Sequence, residues 1–102
     1  MALSFNPDRS DVLDTEGVTG AITVTTTPIE AKVGSSPLSG RQLLIIQPKA
    51  NNVYLGYSDT FTTAQGIELF KDQLISLSVG PTVRVWLRTS SGTANVRVQE
   101  LA

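Results

Sequence analysis

Apolar and polar residues alternate along most of this chain, and the place where alternation fails is the most informative. Arg41 to Pro48 reads Arg-Gln-Leu-Leu-Ile-Ile-Gln-Pro, with four bulky aliphatics in a row. Successive side chains of a strand point to opposite faces, so Leu43 and Ile45 go one way and Leu44 and Ile46 the other. Both faces are apolar and both need cover. The run is too short for a typical helix and rich in β-branched residues. It predicts a central strand, packed against a second sheet on one side. Leu44 and Ile46 then call for a cover on the other side. A subunit interface would supply one, and so would a third layer formed by the loop Gly34 to Gly40 or by the N-terminal segment.

Elsewhere the period of two is plain. In Ala21 to Thr27, Ile22 and Val24 share a face with Thr26, and Pro28 breaks the ladder. Ile29, Ala31 and Val33 resume the alternation, with Glu30 and Lys32 outside. After an Asn-rich turn, Val53, Leu55 and Tyr57 share a face, and Gly56 opposite them permits a close approach. Phe61-Thr62-Thr63 is a short extended piece. Ile67 to Phe70 and Leu74 to Val79 are strands joined by Lys71-Asp72-Gln73, which reads as a hairpin turn.

Near the C-terminus, Val83, Val85 and Leu87 alternate with Arg84, Trp86 and Arg88. Ala94, Val96 and Val98 alternate with Asn95, Arg97 and Gln99. With Ser91-Gly92 as a two-residue loop, the two runs form a hairpin with Leu87 facing Val96 and Val85 facing Val98. This register gathers Arg84, Trp86, Arg97 and Gln99 on one face and sets Trp86 across from Arg97, within reach of guanidinium–indole stacking. The expected fold is all-β: a single β-sandwich or small, jelly-roll-like barrel of roughly eight short antiparallel strands. It covers residues 20–102 and carries an extended acidic arm over residues 1–19.

The arm changes the charge picture. Asp8, Asp11, Asp14 and Glu16 stand against Arg9, whereas the whole 102-residue chain has a net charge of -1. The rest is therefore slightly basic. The arm is either a disordered terminus or a segment that orders on a neighbouring subunit, with Leu3 and Phe5 as its anchors. The near-neutral total gives no electrostatic case for nucleic acid or an anionic membrane surface. The start of the chain lacks the basic and apolar regions of a signal peptide, and no stretch is long and apolar enough for a membrane span.

Without cysteine or histidine, the chain lacks thiolate chemistry, the commonest general base and the commonest metal ligand. No catalytic residue, metal ligand or cofactor site is expected. Outside the arm the carboxylates Glu30, Asp59, Glu68, Asp72 and Glu100 are scattered, mostly over turns and outward strand positions. A glycosidase needs two of them held together in a cleft. Gly34 and Gly40 have neither the spacing nor the following helix of a phosphate loop. What remains is the face of Arg84, Trp86, Arg88 and Arg97. It is a protein-contact surface, a plain solvated face, or a nucleic-acid site; tryptophan and arginine favour the first, and the scarcity of aromatics weighs against the last.

Ser39-Gly40-Arg41-Gln42-Leu43-Leu44-Ile45-Ile46-Gln47, Asn52 to Gly56, Gly66-Ile67, Leu74 to Gly80 and the closing Ser90 to Leu101 carry a likeness. Over about four fifths of its length the chain resembles small virion proteins of tailed bacteriophages, in particular capsid decoration (cement) proteins. Pro48 stands where the family's turn has asparagine, and the Arg84-Trp86-Arg88 face is not a family feature. The resemblance implies a non-enzymatic structural protein, often a homotrimer, bound to the outer capsid surface after assembly in the host cytoplasm. Its partner would be the major capsid protein, with no small-molecule substrate. Other readings of the same residues are a glycan-binding module of a fibre or adhesin, using Tyr54, Tyr57 and Trp86, and a neck or tail component.

Overall fold

A computed structural model describes residues 16–102. The expected contacts of Leu3 and Phe5 lie outside the described residues. Eight strands follow one another: β1 (Gly17–Val24), β2 (Ile29–Glu30), β3 (Leu43–Pro48), β4 (Val53–Gly56), β5 (Ile67–Leu69), β6 (Ile75–Leu77), β7 (Trp86–Arg88) and β8 (Ala94–Leu101). They form two four-stranded antiparallel sheets, ordered β1-β8-β3-β6 and β2-β7-β4-β5. First pairs with last, second with seventh, third with sixth and fourth with fifth. This is the winding of a jelly roll, a long hairpin folded over into two layers. The all-β, jelly-roll-like sandwich expected from the sequence is therefore observed. β1 begins at Gly17, so the last three residues assigned to the arm belong to the sheet.

The core lies between the sheets. Val24, Leu44, Ile46, Val96 and Val98 point in from one side, and Ala31, Val53, Leu55, Leu69, Val85 and Leu87 from the other. Ile22, Val33, Ile75, Leu77 and Val79 close its margins. The alternation decides this: β8 reads buried and exposed in turn from Ala94 to Glu100, as a strand with one dry face must.

Three expectations are corrected here. Leu44 and Ile46 are fully buried against the second sheet, both at 0% exposure, so they are core residues and unavailable for an interface. The outward pair is Leu43 and Ile45, each half-buried. The four aliphatics look alike from either side, and the inward pair is fixed by the neighbours: Ile46 stands opposite Val98 of β8 and Ile75 of β6. Leu44→Ala is expected to destabilise by about 2–5 kcal/mol, and Leu43→Ala by under about 1 kcal/mol, as read by urea unfolding. Comparable losses would contradict the assigned facing.

The closing hairpin does not form. β7 and β8 lie in different sheets, with Leu87 opposite Ile29 and Leu55 and Val96 opposite Ile22 and Pro48. Residues 89–93 cross from one layer to the other. Buried Thr89 holds the crossing: its amide donates to the Thr25 carbonyl at 2.9 Å and its hydroxyl to the Gly92 carbonyl at 2.7 Å. Gly92 has the positive φ (68°) expected of the turn, but the turn changes sheets. Lys71-Asp72-Gln73 behaves the same way. Asp72 sits at φ 68°, and the turn carries the chain from β5 to β6 in the opposite sheet.

Candidate functional site

β7 turns Leu87 inward and Trp86 and Arg88 outward. On this outer face Trp86 stands between Glu30 of β2 and Gly56 of β4, and Arg88 lies opposite Tyr54. Arg84, just before the strand, places its Nε 3.1 Å from Glu30 Oε2, and Lys32 Nζ lies 3.3 Å from Glu30 Oε1. The Glu30 carboxylate is 5% exposed beneath these two cations. The Arg84 contact is an ion pair without hydrogen-bond alignment, so Oε2 accepts no bond. Arg88 is tied down too, donating through Nη1 to the Phe61 carbonyl (3.2 Å) and through Nε to the Thr89 carbonyl (3.3 Å). Both arginines therefore brace the face, and the half-buried indole is the part left to offer.

Arg97 is elsewhere. It lies on the outer face of the other sheet, between Ala21 and Gln47, and donates through Nε to Asn95 Oδ1 at 3.2 Å. Trp86 and Arg97 thus occupy opposite outer faces and cannot stack. Their expected meeting depended on the hairpin, and it fails with the hairpin.

The face around Arg97 differs in character. Half-buried Leu43, Ile45 and Leu101 line it, and Leu74 beside β6 is 63% exposed. Thr19, Ile45, Gln47, Leu74, Arg97 and Gln99 surround a shallow depression of about 270 Å³. Among the described residues, Arg97 is the only charged group at the outward strand positions of this sheet. The result is a nearly neutral surface with apolar patches and amide and hydroxyl groups between them.

Among the described residues, Glu30, Glu68 and Asp72 each have a separate partner. Glu30 is neutralised as described. Asp72 Oδ1 meets Lys49 Nζ at 2.7 Å, and the hydrogen bond from Lys49 is the main reason its carboxyl is held below the ordinary carboxylate value. Glu68 accepts from Asn52 Nδ2 at 3.2 Å. No group of three potential metal-ligating side chains is found among the described residues.

The residues that sequence reasoning missed are Arg41 and Glu100. Their ion pair is 2.8 Å long, with both side chains 1% exposed. Glu100 also accepts the amides of Val33 (2.9 Å) and Leu38 (3.1 Å), while Arg41 donates to the carbonyls of Val79, Gly80 and Val83. The pair thus clips two loops to β8. The signal was present: Ala94, Val96, Val98 and Glu100 share one parity, so the carboxylate had to point inward. With four hydrogen bonds from Arg41 and both Glu100 oxygens engaged, this pair is structural.

Comparison with known proteins finds no matching family model, no matching curated protein and no matching solved structure.

Proposed function

We propose that this chain is a structural protein of a tailed-bacteriophage virion. In this reading it decorates the outer capsid shell and stabilises contacts between major capsid subunits. The reading is supported by the resemblance of residues 20–101, in the order of their strands and turns, to decoration proteins and by a sandwich in which Glu30, Asp72 and Glu100 are held in ion pairs. The observation that carries it is the broad, nearly uncharged outer face of the β1-β8-β3-β6 sheet, with Leu43, Ile45, Leu74 and Leu101 set among polar groups. Apolar ground with a polar surround is the composition of a protein-contact surface. Jelly rolls also host lectins, so the fold alone does not choose between functions.

The test uses capsid shells of the parent phage stripped of this chain. Purified protein should rebind at a fixed ratio to the major capsid subunits and raise the temperature at which the shells rupture. Ile45→Glu, at an outward position, should keep the fold and lose the binding. Shells that take up no protein, or an Ile45→Glu variant that binds as well as the parent, would refute the assignment.

A further inference from the structure

The four edge strands of the sandwich are unequal. β2, β5 and β6 have two or three residues each, and short edges offer little to pair with. β1 has eight, reading Gly-Val-Thr-Gly-Ala-Ile-Thr-Val. It holds none of the usual blocks to edge pairing: no charge, no proline, and an unbroken register with β8 from Gly17 to Val24.

The geometry says which groups are open. Glu16 and Ala102 exchange both backbone bonds, at 3.2 and 2.7 Å. Antiparallel pairs alternate, so Val18, Gly20, Ile22 and Val24 bond to β8 while Gly17, Thr19, Ala21 and Thr23 aim their N–H and C=O groups away from it. All four of these residues are exposed. Among the described residues, no backbone hydrogen bond reaches them from outside the sheet.

We propose that β1 is a strand-addition site and that its occupant is β1 of a second copy of this chain. The segment is self-complementary. A twofold axis at Gly20 sets Gly17 opposite Thr23 of the partner subunit and Thr19 opposite Ala21 of the partner subunit, so every open group meets a donor or acceptor. The half-buried Val18 comes to face Ile22 of the partner subunit, which continues the apolar layer across the joint. With no charged side chain on the strand, the axis brings no like charges together. The chain's own N-terminal residues are a poorer occupant, because Pro7, Asp8, Asp11 and Asp14 are residue types that strands disfavour. The product is a closed twofold dimer with one continuous sheet across both copies. This inference does not depend on the capsid reading.

Sedimentation equilibrium on the full chain should give twice the 10.9 kDa chain mass. Hydrogen exchange should show the Thr19, Ala21 and Thr23 amides as protected as those of their β8-bonded neighbours. Ala21→Pro removes an edge donor without touching a bond to β8, and it should weaken dimerisation about tenfold to a hundredfold. If that variant fails to fold, Thr19→Lys with Ala21→Lys decides, because it opposes lysines across the axis and should give the single-chain mass. A single-chain mass for the parent protein overturns the proposal. So does a dimer unmoved by these variants, and so does edge protection without a doubled mass, which would assign the edge to the N-terminal segment.

Discussion

Glu100→Ala should lower the unfolding free energy by about 3–5 kcal/mol, the usual result of removing one partner of a buried ion pair. A domain of this size has about 5–15 kcal/mol in total, so the loss is a large share of what holds the fold. Three losses combine. Arg41 keeps its charge with its Nη1 unpartnered, at a side-chain exposure of 1%. The amides of Val33 and Leu38 lose their acceptor. A void opens beside Leu44, which stands opposite Glu100 in the sheet. Replacing a buried pair by apolar residues of similar volume is often neutral, and here that rescue should fall short. Arg41→Met with Glu100→Leu removes both charges but still orphans the two amides and the carbonyls of Val79 and Val83, while the Gly80 carbonyl keeps the Val83 amide. The double variant should therefore recover only part of the loss in guanidinium unfolding. Full recovery, or a loss below about 1 kcal/mol for Glu100→Ala, would show that the loops do not rely on this hub.

How legible this molecule was follows from what alternation encodes. A period of two states which side chains share a face, and it identified the inward set of β4, β8 and Val85–Leu87. It does not state which strand lies alongside. In a jelly roll nearly all neighbours are distant in sequence; β4 and β5 are the one consecutive pair joined in a sheet. Turns do fall at Ser91-Gly92 and Lys71-Asp72-Gln73, with Gly92 and Asp72 at positive φ, but a tight turn can close a hairpin or cross between layers, and both of these, expected to close hairpins, cross. Arg84, Trp86 and Arg88 do share a face, because that depends only on parity within one extended run. Arg97 was lost from it because its place depended on a partner. Leu44 and Leu43 are the limiting case: a run of equal hydrophobicity contains no parity signal, and only the burial of the neighbours assigns its faces.

Phe61 shows a different gap. Nothing periodic marks it, yet its side chain is 5% exposed. Its place was written in glycines. A Cβ on Gly56 would stand 2.5 Å from the ring's Cγ, and one on Gly66 2.7 Å from Cε2, so the ring occupies space that two absent side chains leave open. Gly56 lies opposite Trp86, on the outer side of its sheet, and Phe61 is a second, smaller apolar centre there. Phe61→Ala is expected to cost about 3–5 kcal/mol. Gly56→Ala should cost about 1–3 kcal/mol by overpacking, since the methyl meets the ring face rather than a flexible tip. The two changes touch the same volume, so they should not add. With the ring gone, the alanine at 56 has room, and the double variant should be no worse than Phe61→Ala alone, giving a coupling of about 1–3 kcal/mol in a double-mutant cycle. Independent costs that simply sum would mean that Gly56 answers to the backbone and not to the ring. A Phe61→Ala loss below about 1 kcal/mol would mean that the outer face stands without the ring.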